Sequence, residues 1–488
     1  MPLKFTVRRS AFFDSVALMR VADEARRLAG VREVAAVMGT PANRTMLAEA
    51  GLLPVDVPET DPADLVVVVD ASTEDAAGAA LARVAERLSA KRGAQAEPDD
   101  PRPRTLVSAA RGAATASVAV IAVPGPYAAL EAHQALSVGL HVFLFSDGVA
   151  LDDEIALKRR AGALGLFVMG PECGTAIIQG VGFGFANRVR RGPIGVVGAS
   201  GTGIQEVTTL IHRLGSGVSH AIGTGGRDLH AAVGGLTTRQ ALERLGAEAE
   251  TRVIVIVSKP SSPGIAEGVL ATAAATGKPI VACLLGYDGV VPAGVRAVAT
   301  LEEAASMAVA LAGGGHALAL HVSTGGGPRG AIRGLYTGGT LCDEARRLAG
   351  GAAHRFVDFG DEAYTRGRPH PIIDPSRRHA AILEAAGEPG VGVVLLDLVL
   401  GDCAHPDPAT ALDPVLAAAH ERARRDGREL SVVAHVVGTD GDVQDLAGQE
   451  AILRTRGVIV CASNRAAALT ARALSGGRAD APEDGDGA

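Results

Sequence analysis

Tryptophan is absent from the 488 residues, and tyrosine and phenylalanine number only 4 and 10. The interior must therefore be filled by Val, Leu, Ile and Ala, the filling of parallel sheets covered on both faces. Cysteine is scarce as well: Cys173, Cys283, Cys342, Cys403 and Cys461 stand far apart, with no CxxC spacing. That pattern excludes a disulfide framework and a thiolate zinc site, and it is read as a reduced, cytoplasmic setting. No apolar run reaches membrane-spanning length. The opening Met1–Arg9 carries charge without an apolar stretch behind it, so no signal peptide is expected. A net charge of −7 argues against a nucleic-acid surface. No metal is expected.

What is plentiful is glycine, with 62 residues, in a chain that is 47% apolar. Short β-branched runs alternate with Ala-, Leu- and Arg-rich stretches. Among the runs are Val31–Met38, Leu65–Val69, Ser117–Val123, Ile194–Val197, Val253–Val257, Val391–Leu400 and Ser431–Val437. Strand then helix, repeated, means parallel sheets with crossover helices. Runs such as Val66–Val69 do not alternate with polar residues, so those strands are expected to be buried on both faces.

The length sets an expectation of about three domains. They are read as an α/β, Rossmann-like unit over 1–188 and two flavodoxin-like units over 189–320 and 330–475. The remainder, 476–488, is read as a disordered acidic tail. The polar, proline-rich segment 90–104 is placed inside the first domain, because too few strands precede it to close a sheet.

Two strand-to-glycine turns stand out. The first runs Ile194-Gly-Val-Val-Gly-Ala-Ser-Gly-Thr-Gly203, and the second Ala221-Ile-Gly-Thr-Gly-Gly-Arg-Asp228. Glycines there let backbone N–H groups approach a ligand, and a helix start adds free donors and a positive dipole end. Phosphate is the natural ligand of such ends. Ser200, Gly201, Thr202 and Gly203, with Gly223, Thr224, Gly225 and Gly226, are the candidate phosphate contacts. Ser200 and Thr202 equally suit a helix cap. Lys259, at another strand end, is a candidate counter-charge.

Arg227 is a candidate anion clamp, with an Arg227–Asp228 surface turn as the plain alternative. His220 and His230 flank the second turn, and His220 is the candidate acid or base. In the last unit Asp397, Asp402, His405 and Asp407 offer metal or partner contacts, although their spacing favours turn chemistry. His370, Asp374 and Arg377 lie in a long polar insertion readable as a lid or anion clamp. Cys173 reads as a buried structural thiol.

Val123-Pro-Gly-Pro-Tyr127, Met169-Gly-Pro-Glu-Cys-Gly174, Gly198-Ala-Ser-Gly-Thr-Gly203 and Gly223-Thr-Gly-Gly226 occur in order. The series resembles the α subunit of succinyl-CoA synthetase. It is more similar still to the FdrA family, whose members look like that enzyme's two subunits fused. Asp358-Phe-Gly360 and Leu396-Asp-Leu-Val-Leu-Gly401 resemble the C-terminal ligase domain of its β subunit. The resemblance implies a CoA-binding-type first domain and two ligase-type domains. It also implies a carbamoyltransferase subunit of the oxamate/oxalurate type in allantoin and nitrogen-compound catabolism, acting with companion subunits on phosphate or carbamoyl phosphate. A subunit of an acid–CoA ligase is the first alternative, and a non-catalytic anion-binding scaffold the second.

Three departures bear on that choice. Leu285–Gly294 stands where the synthetase carries its phosphohistidine loop and has no histidine. No unassigned segment is long enough for an ATP-grasp domain. Met38-Gly-Thr-Pro-Ala-Asn-Arg44 replaces the glycine turn that holds CoA, so CoA and nucleotide are expected to bind weakly or not at all.

Overall fold

Long β-branched runs become the central strands of the sheets, and the turns at their carboxyl ends gather the polar residues. A computed structural model describes residues 3–11, 13, 15–93, 103–259, 261–315, 329–365 and 369–476. The expected acidic tail therefore lies outside the described residues, apart from its first position. The chain divides into two units, 1–103 with 365–369, and 104–364 with 370–488.

The first unit holds β1 (Leu3–Arg8), α1 (Ser15–Arg26), β2 (Val31–Met38), α2 (Pro41–Glu49), β3 (Leu65–Ala71) and α3 (Glu74–Gly93). Its sheet has the order β1-β3-β2 and is antiparallel throughout. Leu18, Val21 and Ala25 of α1 and Ala77, Ala80, Val84 and Leu88 of α3 pack with Val67 and Val69 of β3. Val66 and Val68 face the other way, onto Leu47 of α2. The unbroken valine run is thus buried on both faces, as expected of it, but in an antiparallel sheet.

This corrects the expected boundaries. The span 1–188 contains two separate sheets and, at 175–184, two strands of a third, and the unit boundary falls at the proline-rich segment. Three strands suffice to close the first unit because β1, which the sequence did not reveal, pairs along Leu65–Asp70 of β3.

The second unit contains three sheets. Helix α4 (Leu106–Gly112) precedes β4 (Val118–Ile121), α5 (Gly125–Ser137), β5 (His141–Leu144), α6 (Leu151–Leu164) and β6 (Val168–Met169). These strands form a parallel sheet, one half of a Rossmann-type arrangement. Next come the hairpin β7 (Thr175–Ile178) and β8 (Val181–Gly184), then β9 (Arg191–Gly198), α7 (Gly201–Arg213), β10 (Val218–Gly223), α8 (Leu236–Ala247), β11 (Val253–Ser258), α9 (Pro263–Ala275), β12 (Ile280–Leu284), β13 (Val295–Ala297) and α10 (Leu301–Leu311). Their sheet order is β13-β12-β11-β9-β10-β7-β8.

The last sheet contains β14 (Ala331–Tyr336), β15 (Arg355–Asp358), β16 (Val391–Val399), β17 (Ser431–Val437) and β18 (Ile459–Cys461). Its helices are α11 (Gly339–Ala349), α12 (Glu362–Thr365), α13 (Ser376–Gly387), α14 (Pro408–Arg425), α15 (Leu446–Thr455) and α16 (Asn464–Leu474). The order is β15-β14-β16-β17-β18.

Counted from their own first strands, β9–β13 and β14–β18 share one order, 2-1-3-4-5, with parallel pairing. That is the flavodoxin-like order, and its ligand crevice lies where strand order reverses, between the first and third strands. In the first of these sheets the point falls between β9 and β11, and in the second between β14 and β16. Residues of α7, α10, α11 and α16 form a common core between the two sheets. The two crevices are thereby brought face to face.

Candidate functional site

The first crevice is built on the Gly198–Gly203 turn. Ser200 is the N-cap of α7, and its Oγ accepts from Gly203 N–H at 2.9 Å. The same Oγ lies 2.5 Å from Thr340 Oγ1, in the first turn of α11. Helix α11 starts at an uncapped glycine, Gly338. A side chain at Gly338 would meet Thr202 Oγ1 at 2.9 Å. Two helix N-termini therefore converge at Ser200, Thr202, Gly338 and Thr340, each presenting first-turn N–H groups that have no partner within the helix. The space beside Gly201 is open: a Cβ there would find nothing nearer than Gly174 Cα at 3.6 Å.

Lys259 leaves the end of β11 and reaches the same place. Its Nζ is 3.5 Å from Asp358 Oδ2, at the end of β15. Both atoms crowd Gly339, where an added Cβ would stand 2.1 Å from Nζ and 2.2 Å from Oδ2. Burial pushes the Asp358 carboxyl up from its ordinary range, while the Lys259 ammonium pulls it back. Asp358 Oδ1 accepts from Gly360 N–H at 2.8 Å.

The entry to α11 is fixed from below by Asp397, fully buried in β16. It accepts from Thr337 N–H at 2.8 Å, Thr337 Oγ1 at 3.0 Å and Gly338 N–H at 2.8 Å, and it pairs with Arg378 at 3.0 Å. Asp397 thus positions a helix start, and nothing about it resembles a metal ligand.

The second glycine turn sits beside the first, since Gly223 and Gly198 are partners in the β9–β10 ladder. Its glycines are required for a different reason from the one expected. A Cβ at Gly223 would lie 2.3 Å from Thr175 O and 2.5 Å from Cys173 Sγ; one at Gly225, where φ is +87°, would lie 2.3 Å from Pro171 O. Thr224 is fully buried, and its N–H donates to Gly198 O at 2.9 Å. The turn is packed against the 170–175 segment, and only Gly226 faces open space, with Glu172 Oε2 at 3.9 Å.

Arg227 is no free clamp, because it donates to Glu154 Oε2 at 2.9 Å and Val149 O at 2.8 Å. Asp228 is fully buried rather than a surface partner of Arg227. It accepts from Lys158 Nζ at 2.7 Å, Thr238 N–H at 2.9 Å and Thr238 Oγ1 at 2.7 Å. His220 stands inside β10, three residues before the crevice. Its Nδ1 accepts from Gln179 N–H at 3.3 Å, and its Nε2 is 4.0 Å from Glu248. His230 donates its backbone N–H to Arg227 O within the turn. Geometry thus removes the acid–base role expected of His220 and the clamp expected of Arg227.

Asp402 donates its N–H to Ala186 O and pairs with Arg188 at 3.2 Å, while His405 Nδ1 accepts from Asp407 N–H at 3.1 Å. Asp407 caps α14. These residues are turn and cap chemistry. Among the described residues no group of three or more His, Cys, Asp or Glu is placed to hold a metal. Burial pushes the Cys173 thiol up to about 12, so it stays protonated at neutral pH. Asp374 accepts from Ser376 N–H ahead of α13, and Arg377 lies over the Tyr364 ring at 5.5 Å.

His370 does join the site. Its Nε2 and Asp358 Oδ1 lie 2.9 and 3.1 Å from one point, the place a Gly360 side chain would take. Its Nδ1 accepts from Ile372 N–H at 3.3 Å, its ring rests 5.4 Å from that of Phe185, and burial lowers its pKa to about 4. The sequence missed Gly338, Gly339 and Thr340 as parts of this site, and offered Asp397 as a metal or partner contact or a turn residue rather than as the anchor of a helix start. Their signal was Tyr336-Thr-Gly-Gly-Thr340, a glycine turn like Gly198–Gly203. It follows β14, a strand whose Arg333 and Gly334 hid it.

Paired flavodoxin-like sheets with opposed helix starts define an acyl-CoA synthetase-like protein. Three family models match: "AllF, heavy metal-associated domain" over 1–103, "CoA binding domain" over 189–286 and "CoA-ligase" over 335–474. The CoA-binding match falls on the first flavodoxin-like sheet, not on the 1–188 span expected to carry it. The chain belongs to the family of YahF of Escherichia coli (strain K12), to which it is 38% identical over 97% of this chain and 98% of that protein. It is also 31% identical to the α subunit of an ADP-forming succinate–CoA ligase of Aquifex aeolicus (strain VF5), over 30% of this chain and about half (48%) of that subunit. Among solved structures it is similar to the dinucleotide-forming acetyl-coenzyme A synthetase 1 of Ca. Korarchaeum cryptofilum, with a TM-score of 0.33 and 16% identity over 73% of this chain and 82% of that one.

These matches imply two groups, a heavy metal and CoA. A soft heavy metal needs thiolate, thioether or imidazole ligands. Residues 1–103 contain neither cysteine nor histidine, and their thioethers do not gather, Met38 packing with Val67 and Val69 and Met46 with Val66 and Val68, so the described residues offer no ligand set that fits the metal. Met38–Arg44, read from the sequence as the place of a missing CoA turn, joins β2 to α2 in the antiparallel unit, closed by Thr40 capping Asn43 N–H and Asn43 Nδ2 bonding Met38 O, and lies outside the 189–286 match, so it bears neither for nor against CoA. The open space beside Gly201 at the start of α7 has room for a small anion, while the first turn of α11 is lined by Lys259 and Asp358. Among the described residues no helix is long and apolar enough to cross a membrane.

Proposed function

We propose that this chain is the phosphoryl- and acyl-phosphate-handling subunit of an enzyme of the acid–CoA ligase class, working with partner chains. The observation that carries the reading is the meeting of the α7 and α11 N-termini at Ser200 and Thr340, with Lys259 alongside. Each helix start stabilises an anion by about 0.3–1 kcal/mol at an exposed surface, and up to about 2 kcal/mol when partly buried. Donors already aimed at a transferring group cost no reorganisation when charge develops on it. A nucleotide-binding partner would supply ATP chemistry.

A second reading, carbamoyl transfer through carbamoyl phosphate, is favoured by one observation. The segment Leu285–Gly294 carries no histidine, so no phosphoryl relay runs through it. Carbamoyl phosphate is already activated and requires none. The test is to titrate the chain with inorganic phosphate and to assay it with its co-purifying proteins. Acid- and CoA-dependent ADP formation supports the ligase reading. Phosphate-dependent cleavage of oxalurate supports the carbamoyl reading. Absence of phosphate binding overturns both.

A further inference from the structure

The open space beside Gly201 has a second wall. Thr175 begins β7, where it pairs with Gly184. The backbone around it is fixed: Phe185 N–H donates to Gly174 O at 2.8 Å, and Cys173 Sγ–H donates to Thr175 O at 3.6 Å. Thr175 is 1% exposed, yet its Oγ1 hydroxyl has no hydrogen-bond partner among the described residues. Buried hydroxyls are ordinarily bonded, because burial strips them of water. Ser200, Thr208, Thr237 and Thr238, buried in the same part of the fold, each have a partner. Thr175 Oγ1 borders the Gly201 space instead. A Cβ built at Gly201 would stand 3.7 Å from it, 3.6 Å from Gly174 Cα and 3.9 Å from Gly174 N, so a methyl-sized group enters with nothing displaced. On Gly201's own side the space is bounded by the first turn of α7. There the Gly201 and Thr202 N–H groups have no acceptor within the helix, and Gly203 N–H is taken by Ser200 Oγ.

Resting on the anion site argued above, we propose that Thr175 is a binding residue of that site, its Oγ1–H donating to an oxygen of the phosphoryl group held at the start of α7. The hydroxyl supplies what a helix start lacks, a side-chain donor whose hydrogen rotates to meet its acceptor. Because it is sealed from water when the site is empty, its bond to a charged oxygen replaces no bond to water. Such a bond contributes more to affinity than one made by an exposed hydroxyl. The orphan hydroxyl is thereby explained: it is a donor kept unpaired for a ligand, in a segment whose backbone is otherwise fully engaged.

Inorganic phosphate is the probe, titrated calorimetrically into the full chain as wild type, Thr175→Val and Thr175→Ser. Valine copies the shape without the hydroxyl, and serine keeps the hydroxyl. The expected result is an affinity lower by about tenfold or more in Thr175→Val and retained in Thr175→Ser. The melting temperature of Thr175→Val without phosphate should be no lower than that of the wild type, since an unpaired buried hydroxyl has been removed. Equal affinity in Thr175→Val and wild type overturns the inference and leaves the anion site standing. A crystal of the wild type soaked in phosphate gives an independent reading that needs no variant to fold. A phosphate oxygen about 3 Å from Thr175 Oγ1 is expected, and a phosphate at Gly201 that leaves this hydroxyl unbonded overturns the inference. Absence of phosphate binding in the wild type, or a Gly201→Asp variant that still binds it, overturns the anion site itself.

Discussion

At the scale of single residues, side chains that looked exposed or catalytic in the sequence prove to be internal supports. Asp228 holds the ammonium of Lys158, which also contacts Glu154 at 2.8 Å, and all three side chains are fully buried. Removing one partner leaves an uncompensated buried charge, at a cost of about 3–5 kcal/mol. Asp228→Asn should therefore lower the denaturation midpoint sharply while leaving phosphate affinity of the folded fraction within about twofold. Chemical denaturation and calorimetry check the two halves separately. A variant of unchanged stability that had lost phosphate binding would restore Asp228 to the ligand.

His370 and His379 bring a pH dependence of known sign. Burial lowers both from 6.5 to about 4. The unfolded chain therefore binds protons that the folded chain refuses, and stability falls as pH drops from about 6.5 toward 4. Each contributes a loss of about 1–3 kcal/mol across that window. Replacing His379 by Gln should flatten the decline in stability measured at pH 7, 6, 5 and 4. An unchanged slope would contradict the assignment.

At the scale of elements, the two glycine turns should behave oppositely. Gly201 faces open space, so Gly201→Asp should fold normally and lose phosphate binding, its carboxylate repelling a second anion. Gly223 faces Thr175 O at 2.3 Å, so Gly223→Ala should destabilise the chain by about 1–3 kcal/mol without acting on a ligand directly. Differential scanning calorimetry with and without phosphate distinguishes them.

The antiparallel unit over 1–103 makes a further prediction, because it has no thiol and no imidazole. Zinc, added at micromolar concentration to the full chain, should leave this unit's hydrogen-exchange protection unchanged. Protection of Arg9–Asp64 by metal would contradict the donor argument, since the Arg9–Asp64 pair at 2.7 Å already closes that end.

Elements were legible where a strand is buried on both faces. Val31–Met38 has the bounds read from the sequence, and Ser431–Val437 has them too. The central strand Ala331–Tyr336 was illegible because Arg333 and two glycines at or beside it break the apolar run. Arg333 is accommodated at the strand by Glu388, their pair closing at 2.5 Å. Strand β1 alternates as an antiparallel strand does, yet its pairing with β3 spans about 60 residues, which no local pattern carries.

The whole molecule joins the two flavodoxin-like sheets through their shared helices, and half of the site depends on that joint. Glu206 of α7 and His435 of β17 form a fully buried pair at 2.8 Å, and Glu206 also accepts from Asn464 N–H at 3.1 Å. Asn464 in turn donates to Glu344 of α11 at 2.7 Å. Burial pushes that carboxyl up to about 7. Both helices whose N-termini form the site are therefore tied to one polar network a few residues behind it. The sequence could show the Ser200 turn and Lys259, because each is a local pattern at a strand end. It could not show that Thr340, Asp358 and His370 complete the same corner, since these come from a second sheet at least 81 residues further along the chain.

The central claim is that the opposed starts of α7 and α11 hold one phosphoryl-type anion. Isothermal titration of the full chain with inorganic phosphate, repeated with Gly201→Asp, tests it most directly. The account predicts a saturable isotherm with one site per chain in the wild type and none in the variant, with both proteins equally folded by circular dichroism. Equal binding in the two, or no binding in either, would contradict it.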